Sequence, residues 1–407
     1  MEVYYIVYAV PVFFLLIGIE LAWGVRQGRN TYRLADTLAS IGAGVWSVLT
    51  GIFTRGVLVV IYAFVFDRLA PTALPADRLW VWLLAIVGYD LCYYGFHRLS
   101  HERAVLWAAH VVHHQSEDFN LGTALRQSST TFLFGWVFYL PLALIGVPPA
   151  VFAAAAGINL LYQYWVHTEH VPKLGWFDRV FVTASNHRVH HGRNDAYLDR
   201  NYGGIFILWD RLFGTFAEED NADPVRFGIR KPFNRFNAVA ANIAPYADLI
   251  ADARATRHGV DRLRIPFART GWRPRDLAPE APPLLHAPKF DTARPAWVDH
   301  YALGQFVILN GVTILLLAAS STMPLLAVVV LAALVTHGLW ILGELMERGA
   351  AAGRQEGWRQ LIAVGAVGVL ALAGQIPVAA LAIAAVLAGA SWLWLRRGLA
   401  TDLPAVA

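Results

Sequence analysis

The sequence predicts an all-α protein: a multi-span integral membrane helical bundle with a histidine-rich helical cap on its cytoplasmic side. Three observations predict it. Hydrophobic residues make up 57% of the chain and charged residues only 15%, against roughly 25% charged in soluble domains. Long apolar runs recur at lengths that cross a bilayer. Ten of the 14 histidines fall into four tight clusters between His97 and His191.

The elements follow in order. The first apolar run, Val3 to Val25, is too long and too poorly flanked at its start for a signal peptide, and reads as an uncleaved helix. The next runs lie at about 42–66 and 79–96. A pair broken by Pro148 and Pro149 follows at about 132–146 and 149–166, short for full spans and open to a re-entrant hairpin reading. Four more lie at about 300–320, 323–345, 358–374 and 376–395. Arg26, Arg29 and Arg33 mark the first loop as cytoplasmic. Alternation from there brings every histidine cluster, the polar stretch 168–297, the Arg348/Arg354/Arg359 loop and Arg396–Arg397 to that same face. The chain divides into 1–225, which carries the clusters, a Pro/Arg-rich connector at 226–297, and a C-terminal transmembrane helical bundle at 298–407. The last reads as a packing or dimerisation module, so a homodimer is one assembly to test.

Composition also excludes. One cysteine, Cys92, leaves no intramolecular disulfide, thiolate zinc site or Cys-bound iron–sulfur cluster. A net charge of +4 on so apolar a chain suits anionic lipid headgroups, not nucleic acid.

The clusters read HRLSH (His97, His101), HVVHH (His110, His113, His114), HTEH (His167, His170) and HRVHH (His187, His190, His191). Residues three and four apart share one helical face, so each cluster aims its imidazoles at one point. Ten nitrogens exceed the four positions of a zinc site and suit two five- or six-coordinate metals, a di-metal cap. HExxH is absent. Imidazole suits Zn, Cu, Fe and Ni alike, so ligand type leaves the metal open. A histidine-lined site at a membrane surface favours iron and oxygen chemistry on a lipid C–H bond. His258, His286 and His300 are isolated and read as ordinary residues. A metal transporter or sensor is the rival class. It predicts ligands strung along a transmembrane path, whereas these gather on one face.

HRLSH, HVVHH and HRVHH carry the pattern HxxxH, HxxHH, HxxHH, and with it the chain resembles the fatty acid hydroxylase/sterol desaturase superfamily of membrane di-iron enzymes. HRLSHE (97–102), HHQSEDFNLGTALRQS (113–128), NHRVHHGRN (186–194) and DRNYGGIFILWDRLFGTF (199–216) are similar to its tetrahydrobiopterin-dependent branch, which hydroxylates the ether-linked carbon of alkylglycerols. The similarity runs on through TGWRPRD (270–276) and the C-terminal helices. It implies a monooxygenase with two Fe ions, O2, a lipid substrate and an external electron donor, tetrahydrobiopterin or another reductant. The enzyme alternatives are a sterol desaturase or methyl oxidase, and a fatty acyl, ornithine-lipid or carotenoid hydroxylase. The resemblance makes His97, His101, His110, His113, His114, His187, His190 and His191 metal ligands, with His167 a ninth. His170 is a tenth candidate whose HxxH spacing departs from the HxxxH of some relatives, which leaves open a place beside a ligand.

Other polar residues have two readings each. Glu102 is expected to orient a ligand imidazole, or to be a solvated helix glutamate. Asn201 and Tyr202, in NYGG, are expected at the reacting centre, with the Tyr202 hydroxyl a donor to bound oxygen or substrate. Asp90 and Glu20 are carboxylates inside apolar runs, where a functional role is the default hypothesis. Arg126 and Gln127 suit a lipid headgroup, the reductant or an interfacial snorkel. Trp209, Asp210 and Arg211 read as an Asp–Arg pair beside an aromatic anchor. The Ala/Arg-rich composition favours a bacterial inner membrane over endoplasmic reticulum.

Overall fold

A computed structural model describes residues 2–279 and 285–401. Among them are fifteen α-helices and no strands, only the isolated bridges Phe181–Phe206 and Gly192–Phe227. The N-terminal helices are α1 (Glu2–Arg26), α2 (Leu34–Leu69), α3 (Leu79–Glu102), α4 (Ala104–His114) and α5 (Leu121–Ala124). There follow α6 (Phe132–Leu144), α7 (Pro149–Trp165), α8 (Ala184–His190) and α9 (Leu208–Phe213). The connector forms α10 (Ala238–Ala255) and α11 (Gly259–Arg264). The last four are α12 (Ala296–Ala319), α13 (Leu325–Arg348), α14 (Gly353–Leu372) and α15 (Val378–Thr401).

Six stretches are long and apolar enough to cross a membrane: Ala9–Arg26, Leu34–Thr54, Leu79–Glu102, Ala296–Ala319, Leu325–Leu372 and Val378–Thr401. The fifth holds two helices, α13 and α14, which part at Gly349, a left-handed glycine (φ +56°). Outward-facing Leu83, Val307, Leu315, Leu361 and Val386 give the bundle an apolar surface, as lipid contact requires. The chain is an integral membrane protein.

The structure revises two sequence expectations. Helix α2 starts at Leu34, not near 42, and at 36 residues is about 54 Å long, so its first turns stand among the histidine-bearing segments. Helices α6 and α7, of 13 and 17 residues, are each shorter than a hydrocarbon core of about 30 Å. The tip of their hairpin nevertheless docks at the end of α2 farthest from the histidines. The Leu74 N–H donates to the Gly146 carbonyl (2.8 Å) and the Tyr62 hydroxyl to the Val147 carbonyl (3.0 Å), which staples the tip to the α2–α3 connection. Gly146 is required there: φ is +92°, and a Cβ would lie 2.1 Å from the Thr72 carbonyl oxygen.

The largest core joins α1, α2, α10, α12 and α13 through residues such as Leu38, Leu49, Phe306, Leu339 and Met346. A second packs α2, α3, α6 and α7 around Tyr62, Val81, Tyr139 and Phe152, with Tyr62 stacked on Phe152 at 4.0 Å. The C-terminal bundle buries a polar cluster. Arg359 pairs with Glu356 (2.6 Å), which also accepts from Tyr301 (2.5 Å) and Gln360 (2.8 Å), while Gln305 bonds Arg359 (2.6 Å) and Ser391 (2.7 Å).

Candidate metal centre

Helix period and cap chemistry place the histidines. His97 and His101 lie one turn apart at the end of α3, and His110, His113 and His114 line the end of α4. His167 follows α7. Helix α8 is only seven residues, and a capping box fixes its start: the Thr183 side chain accepts from the Asn186 N–H, and Asn186 from the Thr183 N–H. That start sets where His187, His190 and His191 point.

Nine of the ten cluster histidines converge in two groups, His97, His101, His110, His114 and His190 in one, and His113, His167, His187 and His191 in the other. Within a group the ligating atoms all lie within 4.8 Å of one another. The rings of His114 and His191 stack at 4.3 Å, so the groups adjoin. Neither HxxHH box serves one group alone. His110 and His114 share a group that His113 leaves, and His187 and His191 share one that His190 leaves. In each box the pair four apart stays together and the middle histidine crosses over.

His113 and His167 show what the arrangement fits. Their Nδ1–H groups donate to the backbone carbonyls of Arg126 (2.9 Å) and Gln163 (2.7 Å). A carbonyl only accepts, so each neutral ring keeps its lone pair on Nε2. Those two Nε2 atoms face each other at 3.2 Å. Two buried lone pairs at that distance repel unless a cation lies between them. His97 and His190 are fixed the same way by the carbonyls of Tyr202 (2.8 Å) and Arg200 (2.9 Å). Six Nε2···Nε2 separations fall between 2.9 and 3.2 Å. Ligands at right angles around a metal, with bonds of about 2.1 Å, stand about 3 Å apart. The buried Nε2 atoms of His101 and His190 have no hydrogen-bond partner. The donor set fits metal.

Burial also keeps these rings neutral, as ligation demands. It pulls His113 down to about 4, despite the carbonyl that favours its charged form. His110, His114, His167, His187, His190 and His191 are held well below the ordinary imidazole value, first by burial and then by neighbouring imidazoles.

The other expected residues take distinct places. His170 lies outside both groups, its buried, unpaired Nε2 beside Gly24. Glu102 pairs with Arg98 (2.8 Å) at the rim. The Asn201 side chain is committed to the backbone of Asn186 and Ala217. The Tyr202 ring lies 5.3 Å from that of His101 and under 6 Å from those of His97 and His190. Its buried hydroxyl lies beside the Asp199 carboxylate, and burial raises the phenol's pKa.

Two other expectations are corrected. Arg126 touches neither lipid nor solvent: it is buried and bonds the Val112 carbonyl (2.6 Å) and Gln115 (3.0 Å). Asp210 does not pair with Arg211, whose guanidinium sits over the Phe216 ring at 3.8 Å. Asp210 instead accepts from the backbone N–H of Tyr202 and of Gly203, both at 2.8 Å. Asp90, inside α3, accepts from the N–H groups of Ile205 and Phe206, the Trp209 indole and the Asn159 amide. Its isolation in an apolar run was the only signal in the sequence.

A helical membrane bundle that turns a buried polyhistidine centre toward one end defines a class. The family model for fatty acid hydroxylase matches residues 82–215, which carry all nine convergent histidines. The fold and site are those of a membrane lipid monooxygenase, and the family together with these clusters points to iron. The alkylglycerol monooxygenase of Danio rerio is 38% identical over 353 residues, 84% of this chain and 78% of that protein. Those of Homo sapiens and Xenopus tropicalis are 40% and 37% identical, over 66% and 76% of this chain and 60% and 70% of those proteins. The chain belongs to the alkylglycerol monooxygenase family. No solved structure matches it.

Proposed function

We propose that the chain is a di-iron monooxygenase that hydroxylates the ether-linked carbon of an alkylglycerol-type lipid with O2. Tetrahydrobiopterin or another external donor supplies the electrons. The observation that carries the reading is the pair of fixed, facing lone pairs on His113 and His167. Each histidine group would hold one iron. When bound, the irons supply the activation of O2 that C–H hydroxylation needs.

The chain's own residues position and insulate. The carbonyls of Gln163, Arg126, Arg200 and Tyr202 hold four imidazoles in one tautomer with Nε2 facing inward. The buried Tyr202 hydroxyl can donate to substrate or oxygen at the group of five. Glu102, held by Arg98, supplies charge at the rim. Asn201 acts through the loop it staples. His170 stands beside the centre, with no place on a metal. Residues 1–225 do the chemistry, the connector braces them, and the C-terminal bundle anchors both. The arginine pattern supports a cytoplasmic face for the centre.

Hydroxylation of an ether-linked carbon gives a hemiacetal, which collapses to a fatty aldehyde and a free glycerol hydroxyl. The test is purified protein in lipid nanodiscs, assayed for iron content and for aldehyde release from an alkylglycerol with reduced pterin. Iron in both groups and aldehyde release dependent on O2 are expected, and His113→Ala should abolish the release. An iron-free protein, or an iron-loaded one that oxidises no ether lipid under any reductant, overturns the reading.

A further inference from the structure

Three of the five histidines in one group are backed by a single short segment. His97 donates to the carbonyl of Tyr202 and His190 to that of Arg200, while His101 has Asp199 Oδ1 4.0 Å from its Nδ1. The group of four is backed elsewhere, by the carbonyls of Arg126 and Gln163. Residues 199–202 thus back imidazoles of one group directly, and among the described residues their tie to the other is only the Asn201 amide on the Asn186 carbonyl at the start of α8.

The segment does not hold its shape alone. Asp199 (φ 55°) and Asn201 (φ 58°) both lie in the left-handed region, which residues with a side chain adopt only where the surroundings hold them there. What holds it is the fully buried carboxylate of Asp210. Its two oxygens take the N–H groups of Tyr202 and Gly203, and Oδ1 also takes the Thr215 hydroxyl (2.6 Å). The Thr215 hydroxyl in turn meets the Tyr94 hydroxyl of α3 at 2.9 Å, one turn before His97. Asp210 therefore locks the segment to the helix that carries His97 and His101.

We propose that Asp210 is a positioning residue for one metal only: it fixes the carbonyls that set the tautomers of His97 and His190, and so governs metal affinity of the group of five without governing the group of four. The inference rests on the two-metal reading above.

The test is Asp210→Asn, which keeps the shape and turns an amide N–H toward backbone donors. Thr215→Val is the milder variant should Asp210→Asn fail to fold. Each is titrated with Fe(II), and with Co(II) as a spectroscopic probe of each site. Affinity at one site should weaken by about 10–100-fold, the range for lost outer hydrogen bonds to ligating histidines, while the other site keeps its affinity. In a His187→Ala background the variant should then leave no tight site. In a His101→Ala background it should change nothing. Equal weakening at both sites, or two unchanged sites in both variants, overturns the inference. Wild-type protein that binds no metal fails the two-metal reading instead, and with it this one.

Discussion

Acid should dismantle the histidine layer of the metal-free protein over a narrow range. The perturbation is a drop from about pH 7.5 to about pH 5.5. In an unfolded chain an imidazole titrates near 6.5. In the folded protein burial pulls His113 down to about 4, and six more rings outside the spans are held well below the ordinary value. Between those values the unfolded chain takes up protons that the folded one refuses. The contribution to stability is therefore complete above about 6.5 and is lost as pH falls toward the folded values. At about pH 5.5 an unfolded imidazole is about nine-tenths protonated, a difference of roughly 1–2 kcal/mol for His113. The other six rings add to it with the same sign. The assay is thermal unfolding of detergent-solubilised, metal-stripped protein across this range, beside the same protein loaded with Fe(II). The stripped protein should lose Tm steeply below about pH 6.5, and the loaded protein should begin to fall at lower pH, because metal occupies the lone pairs. A stripped protein with the same Tm at both ends of the range would refute the reasoning.

Three further outcomes are expected. Gly204→Ala places a Cβ 2.6 Å from Asp90 Oδ1 and 2.8 Å from Asn159 Nδ2; overpacking of about 1–3 kcal/mol should appear as a lowered Tm. Arg359→Met strands the buried Glu356 carboxylate and should cost about 3–5 kcal/mol by denaturant or thermal unfolding, with turnover of the surviving folded protein unchanged. Tyr202→Phe removes one buried hydroxyl beside the Asp199 carboxylate. It should leave Tm and iron content unchanged and lower kcat, and an unchanged kcat would remove Tyr202 from the reacting centre.

The convergent histidines were legible because ligand spacing and helix period coincide. Six of the nine, His97 with His101, His110 with His114 and His187 with His191, are pairs one turn apart within a single group. The split of each HxxHH box between two groups was not legible, because it depends on which neighbouring helix faces each ring. The carbonyls behind His97, His113, His167 and His190 were hidden for a simpler reason: any residue supplies a carbonyl, so Gln163 and Arg200 carry no mark of the role. Asp210 was assigned to its sequence neighbour Arg211, yet consecutive residues on a helix do not face each other. The reach of the α6–α7 hairpin escaped notice because length was read without the left-handed Gly146 that docks its tip.

The buried Glu356–Arg359 cluster carries a consequence for biogenesis. Helix α14 is made with both charges in its first two turns, where Glu356 and Arg359 pair with each other one turn apart and so enter the bilayer as an ion pair. Its partners are on other helices: Tyr301 and Gln305 on α12, made earlier, and Ser391, which bonds Gln305, on α15, made later. The partners that Glu356 and Arg359 find on another helix, Tyr301 and Gln305, thus already stand on α12 when α14 enters the bilayer. The nascent chain seats α12 first, matches α14 to it, and closes the cluster only when α15 leaves the ribosome.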